Sequence, residues 1–419
     1  MASSPLISPT ANYAVENFAP GSYTPGSYTP GSFTVGNVPA DVSADVSRTA
    51  TTITARVLHV INGEHFSGAE RVQQLLGSGL ANFGIEASFA CLKPGKFAAH
   101  CGLPERSVLN VPMHSRFDAQ VIGQLADIVA QRQIDILHAH TPRTALATSL
   151  LALRTGLPWV YHVHSPTARD STRGLVNRAN QWIERFSLRN CQQVITVSRS
   201  LRREMLSSGV PRGRLAVVPN GVPAIEPIDP ELRINESTWR LGLIALMRPR
   251  KGVEVALQAM RSLKDRCRPV TLELIGGFET PAYQQQILDL IRQLGLQDCV
   301  HWSGFASPIS SAIRRLDAVL LPSLFGEGMP MVVLEALAAA VPVVATRVEG
   351  TPEVVRHGVE GLLAEPGCPR SLSDQLELLV SDRHMWSGMS QRALQRHRSN
   401  FSDQLMAQRT ARIYERLLG

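Results

Sequence analysis

The sequence predicts an α/β protein with two doubly wound parallel-sheet domains that face each other across a cleft. From residue 56 onward, short apolar segments of strand length alternate with helical segments. The alternation restarts after a proline-rich gap at residues 219–233. A chain of 419 residues also exceeds what one hydrophobic core ordinarily supports. Alternating strands and helices form parallel sheets covered on both faces, and two such runs indicate two domains.

The strand predictions rest on β-branched and aliphatic runs bounded by glycine, proline or polar residues. In the first run they are RVLHVI (56–61), EASFACL (86–92), DILHAH (135–140), WVYHVHS (159–165) and QQVITVS (192–198). In the second they are LGLIAL (241–246), TLELIGG (271–277), AVLLPS (318–323) and PVVAT (342–346). AERVQQLLGSGLANFG, which follows the first strand, has helical periodicity.

Composition changes set the expected domain boundaries. PGSYT, PGSYT and PGSFT repeat in tandem from residue 20 to 34, within a tract too poor in apolar residues to fold. The predicted parts are a disordered tail at 1–50, an N-terminal domain at 51–222, a linker at 223–235, a C-terminal domain at 236–395, and a final helix at 396–419 that returns to the N-terminal domain.

The overall composition is that of a globular protein, with 44% hydrophobic and 18% charged residues. Its apolar runs are shorter than a membrane-spanning helix, and the N-terminus lacks a signal pattern, so we expect a cytoplasmic protein. Six scattered cysteines without a C-x-x-C pair indicate a reducing compartment and argue against a zinc or disulfide framework.

Positive charge is concentrated in the first half of the chain. Residues 56–222 carry 19 Arg and Lys against 10 Asp and Glu. This excess favours an anionic partner, either a phosphorylated substrate or an acidic membrane surface. Aromatic residues make up only 5% and no recognition motif is present, so a nucleic acid is not expected as the partner.

Three loops follow predicted strands and contain residues suited to anions. GEHFSGAER (63–71) opens a helix with Gly68, which permits close backbone approach, although a plain strand-to-helix turn explains it equally well. RPRKG (248–252) places Arg248, Arg250 and Lys251 beside a helix start, as a diphosphate clamp requires. EGTPEVV (349–355) repeats the glycine–proline–helix pattern and suggests another anion cradle.

Two H-x-H pairs lie at the ends of predicted strands, His138 with His140 and His162 with His164. Spacing of two on a strand puts each pair on one face. Four imidazoles suggest zinc, but no supporting carboxylate or cysteine is evident nearby, so no metal site is predicted. His164 is the candidate for a polar active-site residue.

GEGMP supplies Glu327, the first acid of an E-x7-E pair with Glu335, and GTPEVV follows further along the chain. The other motifs are SGAERV (67–72), ITVSRSLRREM (195–205), VPNGV (218–222), RKG (250–252) and WSGF (302–305). In content and order these motifs resemble those of retaining glycosyltransferases of family 4, which have the GT-B fold of two Rossmann-like domains. The resemblance covers residues 56 to 419.

The resemblance implies a nucleotide-diphosphate sugar donor of UDP or GDP type, a carbohydrate or lipid-linked acceptor, and no cofactor or metal. It assigns Glu327 to the donor sugar, Lys251 to the diphosphate and His164 to the reacting sugar, as the catalytic group. The other implied contacts are Arg248, Arg250, Gly328, Met329, Pro330 and Gly68 for the diphosphate, and Glu335, Phe305 and Gly277 for the ribose and base.

Three departures from the family pattern are visible. The acid that usually follows P-N-G-V is Pro223 here. The arginine that usually stands five residues before the clamp lysine is Leu246 here, so Arg248 or Arg250 is expected to replace it. The threonine that usually stands before V-H is His162. A same-fold epimerase or phosphorylase, or a non-catalytic binding protein, is the alternative reading.

The segment RGLVNRANQWIERFSLR (173–189) interleaves arginines with large apolar residues. This pattern is typical of an interfacial amphipathic helix and also of an ordinary surface helix. The first reading predicts peripheral contact with an anionic membrane at the cytoplasmic face.

Overall fold

The structure is a computed structural model that describes residues 54–115, 118–165, 183–227 and 237–419. The predicted tail at 1–50, most of the linker at 223–235 and the arginine-rich residues 173–182 lie outside the described residues. Among the described residues, no helix combines the length and apolar character needed to cross a bilayer.

Two parallel sheets confirm the predicted GT-B architecture. The strands of the first sheet are β1 (Ala55–Ile61), β2 (Ile85–Cys91), β3 (Val108–Asn110), β4 (Ile136–Ala139), β5 (Trp159–Val163), β6 (Gln193–Thr196) and β7 (Leu215–Val217), in the order β3-β2-β1-β4-β5-β6-β7. Those of the second are β8 (Trp239–Ile244), β9 (Val270–Ile275), β10 (Val300–Gly304), β11 (Ala318–Leu321), β12 (Val343–Thr346) and β13 (Gly361–Ala364), in the order β10-β9-β8-β11-β12-β13. All paired strands run parallel.

Helices cover the faces of both sheets. In the first half they are α1 (Gly68–Leu80), α2 (Lys96–His100), α3 (Ala119–Arg132), α4 (Pro142–Thr155) and α5 (Arg199–Ser207). In the second they are α6 (Val253–Asp265), α7 (Pro281–Gln293), α8 (Ile309–Arg314), α9 (Met331–Ala338), α10 (Thr351–Val354), α11 (Pro369–Val380), α12 (Arg383–Asn400) and α13 (Asp403–Leu418).

The central strands are apolar because both of their faces are covered. Every residue of β4, β11, β12 and β13 is buried. Helix starts carry the expected capping residues: the Ser198 hydroxyl accepts from Leu201 N–H at the start of α5, and the Ser402 hydroxyl accepts from Leu405 N–H at the start of α13.

The last two helices connect the halves of the chain. Helix α12 runs through the boundary expected at residue 396, and the chain turns only at Phe401 and Ser402. Helix α13 then packs on α1, where a Cβ on Gly79 would come within 2.8 Å of Ala407 Cβ. At its far end the Tyr414 hydroxyl lies 2.5 Å from His138 Nδ1. The C-terminal helix therefore lies against the first sheet.

In each sheet the strand order reverses next to one central strand, between β1 and β4 in the first and between β8 and β11 in the second. Open α/β sheets bind ligands in the crevice that forms beyond the carboxyl ends of the strands at this point. The predicted site residues follow the carboxyl ends of strands at this edge of each sheet: β1 and β5 in the first sheet, and β8, β9, β10 and β11 in the second.

Candidate active site

A buried carboxylate lies beside two cations at the point where the strand order of the second sheet reverses. Glu327, in the loop after β11, accepts hydrogen bonds from Lys251 Nζ at 2.5 Å and from the Ser323 hydroxyl at 2.6 Å. Arg250 NH1 lies 3.9 Å from the same Glu327 oxygen. The structure thus brings together two of the predicted cations with the acid assigned to the sugar.

The Lys251 side chain is mostly buried in this cluster, with 15% of it exposed. Burial lowers its pKa, and the charge of Glu327 opposes that shift. A second anion bound beside Lys251 would raise the pKa of Lys251 and so favour its charged ammonium form further. The site is therefore electrostatically suited to a diphosphate.

Arg250 and Arg248 differ in where their guanidinium groups lie. Arg250 NH1 donates to the carbonyls of Phe325 and Gly326 at 3.2 and 3.1 Å, which places it on the loop that carries Glu327. Arg248 NH1 instead lies 3.7 Å from Glu279, away from that loop. Leu246, at the position of the missing family arginine, is 51% exposed.

Glu335 lies on helix α9 and faces the first half of the chain. Its carboxylate is buried and lies 3.3 Å from Arg71 NH2 on α1. Burial raises the pKa of Glu335, and the Arg71 charge opposes this. Helix α9 begins only at Met331, so Glu327 belongs to the preceding loop and the two acids do not share a helix.

The backbone of Gly328, Met329 and Pro330 is held where the two halves meet. A Cβ on Gly328 would come 2.1 Å from the His164 carbonyl oxygen, so only glycine fits there. The Asn220 side chain, in the VPNGV segment, donates to the Met329 carbonyl at 3.2 Å. Sequence reasoning gave Asn220 no role, and here it connects the end of the N-terminal half to this loop.

Gly68 opens α1 across from this loop. A Cβ on Gly68 would meet Met331 Cγ at 3.6 Å, which is ordinary contact. The space above Gly68 is therefore not closed by neighbouring protein backbone.

Gly277 and Phe305 lie on the other side of the cation cluster. They follow β9 and β10, which are the next two strands beyond β8. A Cβ on Gly277 would meet nothing within 4 Å, and Phe305 is 86% exposed. These two residues are near the same sheet edge but are not in contact with the cluster around Glu327.

The prediction of an anion cradle at EGTPEVV is wrong. The N–H groups of Gly350, Thr351 and Glu353 donate to backbone carbonyls, and Pro352 has none. The contacts that this segment makes with the first half of the chain come from a side chain instead. Both carboxylate oxygens of Glu353 accept N–H groups of Arg199 and Ser200 at 2.7 Å, at the start of α5.

Glu349 has a comparable role within the second half. Its carboxylate accepts the N–H groups of Gly326 and Glu327 at 3.0 and 3.1 Å. Its φ of +32° lies in the left-handed region, which side chains seldom adopt. Glu349 therefore orders the start of the Glu327 loop.

His164 belongs to a cluster of five imidazoles, of which four are buried and His164 itself is partly buried. The two H-x-H pairs lie on one face of the first sheet, as their spacing predicts, and His59 on β1 joins them. His59 is the register partner of His138 on β4, so both point to the same face. Alternation within RVLHVI was the signal that could have identified His59.

Two histidine triples in the cluster have nitrogens within 4.8 Å of one another, His59–His138–His140 and His140–His162–His164. A shared metal ion requires ligand lone pairs, which lie in the ring planes, to converge on one point. Most of these rings are nearly parallel, with interplanar angles of 9° to 33° across the cluster. That arrangement favours contacts between imidazoles over metal ligation, and the expectation of no metal site stays a prediction.

Comparison with known proteins decides the family. Residues 66–224 match the family described as Glycosyltransferase Family 4, and residues 224–396 match Glycosyl transferases group 1. The chain belongs to the GT-B glycosyltransferases.

Relatives of this glycosyltransferase include two synthases with different names. N-acetyl-alpha-D-glucosaminyl L-malate synthase of Bacillus anthracis is 27% identical over 311 residues, covering 71% of this chain and 78% of that protein. Glycogen synthase of Mycobacterium tuberculosis is 27% identical over 286 residues, covering 67% of this chain and 68% of that protein.

Solved structures share the fold of this glycosyltransferase. Anabaena HepE, determined in complex with UDP and glucose, superposes with a TM-score of 0.76 at 20% identity and covers 86% of this chain and 100% of its own. Sucrose-phosphate synthase of Thermosynechococcus elongatus has a TM-score of 0.73 at 17% identity and covers 87% and 99%. At these identities the likeness establishes the fold.

Proposed function

We propose that this glycosyltransferase moves a hexosyl group, with retention and without a divalent metal, from a UDP or GDP sugar to a carbohydrate or lipid-linked acceptor. The observation that carries the proposal is the convergence of Lys251 and Arg250 on Glu327 at the reversal point of the second sheet. Solved GT-B relatives with UDP and UDP-glucose support a nucleotide sugar as the donor.

The chemical problem is the departure of a diphosphate from an anomeric carbon. The leaving group gains negative charge in the transition state, so cations already fixed in place stabilise that state more than the bound substrate. Lys251 and Arg250 take this role, with the amides of Gly328 and Met329 beside them. Glu327 holds the hydroxyls of the sugar, and Glu335 accepts from the ribose.

The order of contacts follows the edge of the second sheet. Phe305 and Gly277 lie on the β9–β10 side, the cations follow β8, and Glu327 follows β11. A donor lying along this edge would place its base at the first group, its diphosphate at the second and its sugar at the third. Phe305 is exposed and offers a face on which a base could stack.

Retention and metal independence are tested together. The purified protein is supplied with nucleotide sugars and an acceptor in the presence of excess EDTA, and the anomeric configuration of the product is read by NMR. We expect turnover in EDTA and a product with the donor's configuration. An inverted product, or activity that returns only when a divalent cation is added, would contradict the mechanism.

We propose that Arg250, and not Arg248, replaces the arginine missing at Leu246, because the Arg250 guanidinium contacts the loop that carries Glu327. Arg250→Ala is expected to lower kcat/KM by roughly 10- to 100-fold, as loss of a charged contact to a leaving group does. Arg248→Ala is expected to cost less than about threefold, since a more exposed ion pair contributes little.

The matched control for this comparison is Arg250→Lys, which keeps the charge and loses the two-pronged geometry. It should fall between wild type and Arg250→Ala. Steady-state kinetics on the four proteins decide the assignment. A larger loss for Arg248→Ala than for Arg250→Ala would reverse it.

We also propose that the enzyme contacts an anionic membrane through the basic surface at residues 185–189. Phe186 is 57% exposed there, with Arg185 beside it and the Arg189 guanidinium 5.1 Å from its ring centre. Residues 173–182, which complete the predicted amphipathic segment, lie outside the described residues. An exposed aromatic between arginines suits the boundary between headgroups and acyl chains.

A double variant, Phe186→Ser with Arg189→Gln, should weaken binding to phosphatidylserine liposomes by about tenfold at low salt, because one cation and one apolar anchor are lost. Sedimentation with the liposomes measures this. Arg315→Gln, which alters an arginine side chain that is 60% exposed on the second half, is the control and should bind as wild type does. Wild-type protein that stays in the supernatant would refute the membrane contact.

A further inference from the structure

Three of the five imidazoles form a straight hydrogen-bonded row, which we call the histidine row: His59, His140 and His164. His59 Nδ1 lies 2.9 Å from His140 Nε2, and His140 Nδ1 lies 3.0 Å from His164 Nε2. The ring centroids are 5.2 and 5.3 Å apart, with interplanar angles of 23° and 14°. These centroid distances exceed the nitrogen distances by about the radii of the two rings, so the nitrogens point directly at each other.

Such a row couples the proton positions of its members. A neutral imidazole has one N–H and one lone pair, so each contact in the row needs a donor on one side only. The row therefore has two arrangements. In one, all three rings carry the proton on Nδ1, and His164 presents an N–H at its free end. In the other, all three carry it on Nε2, and His59 presents the N–H.

The row is built to stay neutral. His59 is completely buried, and burial lowers its pKa to about 3. Burial also lowers the pKa of His164 to about 4 and that of His140 well below its usual value, and neighbouring imidazoles lower the latter further. An added proton would therefore not be held, and the row is unsuited to act as a general base.

The environment of the two ends distinguishes the arrangements. The free His59 Nε2 is buried without a hydrogen-bond partner, and the ring stacks on Phe89 at 4.8 Å. A buried N–H without a partner is costly and rare. The free His164 Nδ1 is also buried and unpartnered, but His164 as a residue is partly exposed and its backbone carbonyl lies against the Gly328 loop, whereas His59 is completely buried. A ligand oxygen bound beside that loop could therefore accept from His164 Nδ1. The N–H belongs at the His164 end.

We propose that His59 and His140 are positioning residues that hold His164 as a neutral imidazole with its proton on Nδ1, ready to donate a hydrogen bond to an oxygen of the transferred sugar. The assignment of the sugar as recipient rests on the proposed function. The proton arrangement itself rests only on the row.

The wild-type protein labelled with ¹⁵N-histidine gives the direct test. Long-range ¹H–¹⁵N spectra of the unliganded protein should show His59, His140 and His164 all as Nδ1–H tautomers. An Nε2–H tautomer at His164 would overturn the proposal. So would stoichiometric metal in the purified protein by mass spectrometry. The spectrum does not depend on activity. It therefore distinguishes a wrong proton arrangement in the histidine row from a wrong proposed function.

Variants of His59 test the coupling. His59→Leu removes the Nδ1–H that donates to His140. The His164 spectrum should then show a mixture of tautomers instead of one. The kcat should fall about tenfold, as expected for loss of one neutral hydrogen bond, while binding of UDP or GDP alone stays unchanged. His59→Asn keeps an N–H donor near the Nδ1 position and should restore both readouts. Tyr414→Phe breaks the contact to His138, outside the row, and should leave the His164 signal as in wild type.

If His59→Leu does not fold, the wild-type spectrum and the His59→Asn spectrum still decide the question. A His59→Leu protein that folds and keeps the wild-type His164 tautomer would refute the coupling.

Discussion

Replacement of Glu327 by glutamine should abolish most of the sugar transfer. We expect kcat to fall by roughly 10²- to 10³-fold, the size of effect seen when one charged contact to the reacting centre is lost. Glutamine keeps the shape of the side chain, but it cannot accept hydrogen bonds from the sugar hydroxyls with a full negative charge. Binding of the bare nucleoside diphosphate should change by less than about threefold, because that ligand lacks the sugar.

The control for this substitution is Glu360→Gln. Glu360 is a buried carboxylate that pairs with Arg356 away from the cleft, so its variant reports the effect of neutralising a buried acid on folding. Thermal melting and single-turnover transfer are measured on both variants. If Glu327→Gln retained activity within threefold of wild type, or lost nucleoside diphosphate binding along with transfer, Glu327 would not be the sugar contact.

Mild acid should destabilise the folded protein steeply. The five clustered histidines have lowered pKa values, mainly through burial. Above pH 6.5 both folded and unfolded chains hold these groups neutral, so they add no pH dependence. As the pH falls below 6.5, the unfolded chain takes up protons that the folded chain refuses, and the free energy of unfolding falls.

The expected loss is on the order of 5 kcal/mol between pH 6.5 and 5.5, since each group contributes roughly 1 kcal/mol over that unit. That is a large part of the stability of an ordinary domain. Chemical denaturation at several pH values measures it, and His357 and His397, whose pKa values are also lowered, add to it.

Two variants test whether the loss of stability in acid comes from the histidine cluster. His162→Leu removes a titrating group whose nitrogens have no hydrogen-bond partner, so the proton uptake on unfolding should drop by about one. The control substitution is His384→Gln, which removes an exposed imidazole outside the cluster, and the proton uptake on unfolding is measured for both variants. A free energy of unfolding that stays flat from pH 6.5 to 5.5 would show that the cluster is already protonated or open to water.

The sequence was sufficient to predict the fold because buried parallel strands read as unbroken apolar runs. Each predicted strand exists, within a few residues at its ends. The strands that were missed, β3, β7, β10 and β13, lie toward or at the sheet edges. Strands β3 and β7 have three residues each, and β10 is largely exposed, so these three lack a strong apolar pattern. Strand β13 is fully buried, but it has only four residues and begins with a glycine, so its apolar run is short.

The candidate site was predictable where its residues follow neighbouring strands of one sheet. Lys251, Arg250 and Glu327 follow strands that meet at the reversal point, and strand order places them together. Arg71, Asn220 and Glu353 were not assigned roles because their partners lie in the other half of the chain. The distance between two domains depends on the shape of both of their surfaces. The local sequence pattern of either segment carries no information about that distance.

The measurement that tests the account most directly is the thermal stability of the wild-type protein with UDP, GDP and ADP sugars, compared with the matching free sugars. A ligand that binds only the folded state raises the melting temperature, because at a free concentration c it stabilises that state by RT ln(1 + c/Kd). The account predicts that at least one UDP or GDP sugar stabilises the protein, that its free sugar does not, and that Lys251→Met removes the effect. If no nucleotide sugar shifts the melting temperature at millimolar concentration, the assignment of the cluster around Glu327 as a donor site is contradicted.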